Sequence, residues 1–263
     1  MRSILTTVLV CLLLPSVSVA GQSINIKQGI PISSSEQQNP KTAKKDQEKN
    51  SDREESLDFS GMGRPGQQTA GESRGSCTDA GRIEALLPVS KSGHTVQEYP
   101  SFWVYFSDTF PQGSQVEFII QNEAREDIWR SRSKLDSKPG YQSFTLPATE
   151  SPLEIDQWYR WYVKVYCDGQ VASVRYVQGW VNRLDLSSRL YFELQENEEN
   201  SHFVYGNHGI WYDAINELIS AYHNEPTNLA LEQDWQAFVG AKGVDLHLLP
   251  SIGSNYEAIN LAN

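Results

Sequence analysis

Seven short runs rich in aromatic and β-branched residues follow one another between residues 82 and 181, each bounded by Pro, Gly, Asp or Ser. They fall at 82–88, 100–107, 115–121, 127–134, 141–146, 157–167 and 170–181. Short runs punctuated this way read as β-strands. Seven in this length is the number expected of an immunoglobulin-like or fibronectin-like sandwich. Leu153, followed by Tyr159 at the head of a strand, resembles the fibronectin-type tyrosine corner.

Asp168-Gly169 lies between the last two runs. Asp-Gly suits a two-residue type I′ turn, which needs positive φ at both positions. Counting from such a turn sets Cys167 opposite Gln170, Val165 opposite Ala172, Val163 opposite Val174 and Trp161 opposite Tyr176. Side chains alternate between the faces of a strand. One face then holds Tyr159, Trp161, Val163, Val165, Cys167, Val174, Tyr176 and Trp180, a core-like set. The other holds Trp158, Arg160, Tyr162, Lys164, Tyr166, Arg175 and Val177. On that second face Trp158, Tyr162, Tyr166 and Arg175 are the candidate binding or docking residues. They suit either a sugar ligand or a covering helix.

After Arg183 the apolar period changes to that of a helix. Ile210, Trp211, Ala214, Ile215, Leu218, Ile219 and Tyr222 form one stripe, ended by Asn224 and Pro226. Leu231, Trp235, Phe238 and Val239 form another, and 184–194 is a weaker candidate. The first stripe needs a cover, and the aromatic face of the hairpin is the expected one, or its edge. Residues 76–183 thus read as a β-sandwich, 184–250 as a helical region packed on it, and 251–263 as an irregular tail.

The N-terminus carries an export signal. Arg2 precedes an apolar stretch, Ile4–Leu14, that Pro15 ends, and Ser18-Val19-Ala20 offers small residues for cleavage. The stretch is shorter than the roughly 20 residues a membrane span needs. Residues 1–20 are therefore read as a signal peptide. The mature chain is expected to be soluble, periplasmic or extracellular, and without a membrane span. Only Cys77 and Cys167 remain after the signal. In an oxidising compartment they are expected to pair as one long-range disulfide. Residues 21–75 are polar, with eight basic and eight acidic residues, and read as a disordered linker. Residues 76–263 carry 13 basic against 25 acidic residues, a formal charge of −12. Phosphates would be repelled, so a nucleic-acid partner is not expected.

No constellation for catalysis stands out. His-Glu-x-x-His is absent. His202 and His208 flank Tyr205 near Glu196, Glu198 and Glu199, an arrangement read as a solvated loop before a metal site. Glycine-rich 61–75 lacks the Lys-Ser/Thr of a phosphate loop. Trp211 reads as core and Asp213 as a helper of the helix start. No cofactor or metal is called for.

Six motifs in order, Gly71-Glu-Ser-Arg-Gly-Ser-Cys77, Tyr99-Pro-Ser-Phe-Trp-Val-Tyr105, Tyr159-Arg-Trp-Tyr162 leading to Cys167-Asp168, Gly179-Trp-Val-Asn-Arg183, Gly209-Ile-Trp-Tyr-Asp213, and Trp235, resemble a cyanobacterial domain-of-unknown-function family, number 928. The resemblance spans roughly residues 61–250. It implies an exported envelope protein and brings no catalytic residue. Three function classes stay open: a non-catalytic binding or adaptor module for a glycan or envelope protein, a structural or secretion-accessory protein, and a hydrolase with an unrecognised acidic site. A flat aromatic strip would favour the first, and a concave pocket with shifted carboxylates the third.

Overall fold

The computed structural model describes residues 56–63, 81–135, 138–167 and 174–253, and the backbone of 256–258. The signal region, residues 21–55, Cys77 and the Asp168-Gly169 turn lie outside the described residues.

Two sheets face each other. The four-stranded sheet has the order β1 (Ile83–Ala85), β3 (Ser101–Phe106), β6 (Gly140–Thr145), β9 (Tyr256–Ala258). The five-stranded sheet has the order β2 (Ser92–Thr95), β8 (Val174–Arg183), β7 (Trp158–Tyr166), β4 (Gln115–Gln121), β5 (Asp127–Lys134). Alternation along each strand sends one set of side chains between the sheets. From β3 and β6 these are Phe102, Val104, Phe106 and Phe144. From β4 and β7 they are Val116, Phe118, Ile120, Trp161, Val163 and Val165. Phe102 bridges the layers, with ring centroids 5.2 Å from Trp161 and 5.5 Å from Phe118. The tyrosine corner is present: the Glu154 amide donates to Tyr159 Oη at 3.0 Å, beside fully buried Leu153. The chain is therefore a mainly β, fibronectin-like sandwich followed by a small helical region.

The hairpin register differs from the turn-based expectation. Val163 pairs with Val177 rather than Val174, and Trp161 with Gly179 rather than Tyr176. A shift of three residues is odd, so the faces of β8 exchange. Val177, Gly179 and Val181 point inward, and Val174, Tyr176 and Trp180 outward. Arg175, opposite Val165, leaves the face that carries Trp158, Tyr162 and Tyr166. Gly179 is required where it stands, because a Cβ there would lie 2.8 Å from the Trp161 ring and 2.5 Å from Leu87 Cδ1.

Two strands escape the apolar pattern. β2, Ser-Gly-His-Thr, joins β8 in parallel. β9 corrects the reading of an irregular tail, pairing in parallel with β6.

Four helices follow: α1 (Ser188–Glu196), α2 (Ser201–Asn207), α3 (Trp211–Asn224) and α4 (Leu229–Val239). α2 replaces the solvated loop expected around His202, which is buried and bonded to Asp234 Oδ2 at 3.1 Å.

Among the described residues no helix covers the Trp158–Tyr162–Tyr166 face. Trp235 of α4 meets Tyr141 edge-on at 5.5 Å, and Trp103 Nε1 donates to Asn216 of α3 at 3.3 Å. Tyr141 and Trp103 lie on the outer face of the four-stranded sheet. The first turn of α3 also plugs the side of the sandwich. Trp211 Nε1 donates to the Leu86 carbonyl at 2.9 Å. Tyr212 Oη accepts from Trp161 Nε1 at 2.7 Å and donates to the Trp180 carbonyl at 2.9 Å. Docking at the edge strand β2 does occur, since Gly93 lies under Trp211 and Tyr212.

Residues 56–63 correct the reading of 21–75 as wholly linker. Phe59 is fully buried and meets Trp211 edge-on at 4.8 Å. The Phe59 amide donates to the Lys242 carbonyl at 2.8 Å, and Lys242 Nζ reaches Asp58 Oδ2 at 2.7 Å. Gly243 takes φ +82°, and a Cβ on it would overlap the Phe59–Ser60 backbone. Leu57, Phe59 and Met62 thus complete the core on the helical side.

Candidate functional site

The outer face of the five-stranded sheet is built from the even-numbered residues of β7: Trp158, Arg160, Tyr162, Lys164 and Tyr166. Tyr176, Gln178 and Trp180 flank them on β8. On the other side stand Glu117, Ile119 and Gln121 of β4, then Arg130, Arg132 and Lys134 of β5. Of the four predicted residues, three share this face and Arg175 does not. Sequence reasoning missed the contribution of β5, which came to view only with the strand order. Alternation of Arg130, Arg132 and Lys134 with Ser131 and Ser133 was the available signal.

Cations lie over rings across this face. Arg132 Cζ sits 3.9 Å above the Tyr166 centroid, Arg160 Cζ 4.8 Å from Tyr162, and Lys164 Nζ 5.2 Å from Tyr162 on the same strand. Each is within reach of the ring quadrupole. Arg160 also donates to Gln178 Oε1 at 2.6 Å. The apolar stems of these side chains shelter the rings and Ile119, which is fully buried although it points outward.

Glu117 anchors the middle of the face. It accepts from Tyr166 Oη at 2.7 Å and from Arg130 Nη1 at 2.8 Å. Burial pushes its carboxyl upward, but the bonds from Tyr166 and Arg130 outweigh this and hold it below the usual range. Arg130 also pairs with Asp127 at 2.7 Å. Arg130 is thus committed within the face. Burial, and then the bond to Glu117, push the Tyr166 phenol up.

A second feature lies at the start of α3. Thr95, Gln97, Tyr99, Tyr212, Asp213, Asn216 and Glu217 line a cavity of about 190 Å³. Asp213 is 3 % exposed, and burial raises its carboxyl to about 7 against the opposing pull of Thr95, the Val96 amide and Gln97. Neither carboxyl oxygen reaches solvent or makes a well-aligned hydrogen bond. Burial also raises Glu217, one turn on. Asp213 thus sits between the β2–β3 connection and the helix start, lining this cavity with both oxygens buried. A second cavity, about 290 Å³, opens beside Trp158 between Asn122, Ile128 and Gln157.

Among the described residues no cluster of His, Cys, Asp and Glu could hold a metal ion, and no helix is long and apolar enough to cross a membrane. His208 Nε2 bonds Glu193 at 2.6 Å, in a different place from His202. Cys167, 2 % exposed, sits on the inward side at the end of β7.

The family described as Domain of Unknown Function (DUF928) matches residues 69–250. The chain belongs to that family. No curated protein matches it. Among solved structures it is similar to the fn3 domain of human collagen alpha-1(XX) chain, at 10 % identity and TM-score 0.27, over 47 % of this chain and 93 % of that one. It is also similar to the Parabacteroides merdae β-glucuronidase, at 10 % identity and TM-score 0.24, over 50 % of this chain and 22 % of that one. Likenesses this low carry no functional argument.

Proposed function

We propose that this DUF928 protein is an exported, non-catalytic binding module of the cell envelope, and that it presents the outer face of its five-stranded sheet to a glycan. One observation carries the reading: the helices roof the opposite sheet, and among the described residues no helix lies over Trp158, Tyr162 and Lys164. A sandwich with one roofed and one unroofed face suits a protein that binds laterally. The hydrolase reading would rest on Asp213, the strongly raised carboxyl among the described residues, whose two oxygens are buried. The test is a glycan array probed with the full chain and with the double variant Trp158→Ala/Tyr162→Ala. Binding by the first and loss in the second are expected. Equal binding by both would sink the reading.

Export rests on the charged, apolar and small-residue order of residues 1–20. N-terminal sequencing of the exported protein should begin at Gly21, and an intact Met1 would refute cleavage. A Cys77–Cys167 disulfide is supported by the inward seat of Cys167. In the chain-entropy view, closing a loop of this length contributes about 4–5 kcal/mol. Mass spectrometry of unreduced protein decides it, since two alkylatable thiols would exclude the bond. A cyanobacterial envelope as the setting is part of the same proposal.

A further inference from the structure

Residues 76–263 carry a formal charge of −12, yet Arg130, Arg132, Lys134, Arg160 and Lys164 gather on one sheet face against Glu117 and Asp127. A cationic field on an acidic molecule is a local feature that overall composition does not produce. From the geometry of this face we infer that its ligand is an acidic polysaccharide, a polymer bearing carboxylate or sulfate groups at regular intervals. The inference rests on the binding-face reading above and narrows it.

The layering of the face decides between acidic and neutral sugars. A neutral sugar stacks its C–H groups on an open ring. Here the rings of Tyr162 and Tyr166 already have cations over them, at 4.8 Å and 5.2 Å for Tyr162 and 3.9 Å for Tyr166. A ligand approaching from solvent meets charge first and rings second. The rings act as supports: a guanidinium on a ring face keeps its in-plane N–H edges free, and that edge matches a carboxylate or sulfate with two parallel bonds.

The spacing favours a polymer over a single anion. Arg132 and Lys164 stand in one cross-strand row with Glu117 between them. Two strand steps of about 4.8 Å put their backbones about 10 Å apart. Along β5, Arg130, Arg132 and Lys134 repeat at about 6.7 Å. Neither cavity described above is lined by any of these cations. Nucleic acid is also a polyanion, but single strands need open rings for their bases to stack on, and Tyr162 and Tyr166 have cations over theirs.

The experiment uses the purified full chain with polygalacturonate, dextran sulfate, neutral dextran and duplex DNA as probes, at 50 and 300 mM NaCl. Both acidic polymers should bind and dextran should not. Salt should weaken binding at least tenfold, because exposed charges are screened over about 10 Å at 0.1 M. Arg132→Gln/Lys164→Gln should lose at least tenfold in affinity, and Arg132→Lys, which keeps the charge but not the two-pronged edge, should lose less than that. Arg189→Gln, an exposed cation on α1, should change nothing, with melting curves confirming that each variant folds. Dextran binding lost in Tyr162→Ala but kept in Arg132→Gln/Lys164→Gln would overturn the acidic class and leave the binding-face reading standing. So would a loss in Arg189→Gln equal to that in the double Gln variant, or tighter binding to DNA than to polygalacturonate. Failure to bind any glycan, acidic or neutral, would overturn both.

Discussion

The two sheets each turn an outer face away from the shared core, and the two faces end differently. On the four-stranded sheet, Trp103 and Tyr141 lie under α3 and α4. On the five-stranded sheet, Tyr162 and Tyr166 lie under their own charged neighbours. Both faces carry large aromatics, so aromatic content does not select which one a helix covers. What differs is the interleaving. The neighbours of Trp103 and Tyr141 are uncharged or at the sheet margin, so a helix loses little by covering them. Covering Tyr162 would strip water from Arg160 and Lys164, each a cost of several kcal/mol unless paired. A face that mixes rings with cations is thereby kept for solvent or for a charged ligand.

The covered face should fail first when its contacts are cut. Trp235 is fully buried against Tyr141, and Trp235→Ala should cost about 3–5 kcal/mol, read as a fall in the urea midpoint. A loss under 1 kcal/mol would mean that α4 is not integral to the core. Phe59→Ala should cost about as much, about 3–4 kcal/mol, since that ring seats on Trp211 and Phe238. A truncated chain starting after Gly63 should be destabilised to at least the same degree. If it melts like the full chain, residues 56–63 are passengers.

Those last residues show what a sequence leaves illegible. Leu57, Phe59 and Met62 stand in a polar stretch with no repeating period, and their burial is supplied by distant partners, among them Gly206, Gly209, Trp211, Phe238 and Gly243. β7 was legible because Tyr159, Trp161, Val163 and Val165 recur at every second position with Arg160 and Lys164 between them. β8 was not, because Val174, Tyr176 and Trp180 form as good an apolar alternation as Val177, Gly179 and Val181, and only the register chooses between them. Arg175 was assigned to the wrong face for that reason. The helices α3 and α4 followed from their stripes, but their destination did not. Choosing Trp158–Tyr166 over Trp103–Tyr141 required weighing the charges between the rings. The cationic half of the candidate site became visible only when β5 was placed beside β4.

Asp213, at the seam where α3 plugs the sandwich, sharpens the comparison through pH. Its carboxyl is raised to about 7 in the folded chain against about 3.9 when unfolded. A raised acid favours the folded state while protonated, so its contribution is full below about pH 4 and fades as pH rises through 7. Asp213→Asn should remove that dependence. The stability of the variant relative to the natural chain should improve by about 2–3 kcal/mol between pH 5 and 8. His94 and His202, both lowered by burial, act in the opposite sense as pH falls below 6.5. They are present in both proteins and cancel in the difference. A difference that stays flat across this range would mean that Asp213 is charged throughout.

The smallest effect on stability is expected where the largest effect on binding is. Tyr162 is half-buried on the open face, and no helix is anchored on it. Truncating it removes a support for Arg160 and Lys164, worth about 0.5–1 kcal/mol at an exposed site, and opens no enclosed cavity. Tyr162→Ala should therefore shift the urea midpoint by less than a quarter of the shift in Trp235→Ala. Its glycan affinity should fall, because the two cations lose the ring that orients them. Lys164→Met keeps the apolar stem over the ring and removes only the charge. If stability is governed by cover and binding by charge, Lys164→Met should leave the midpoint unchanged and still weaken binding to polygalacturonate. A midpoint loss in Lys164→Met as large as in Trp235→Ala would make this face as structural as the roofed one, and the distinction between the two would collapse.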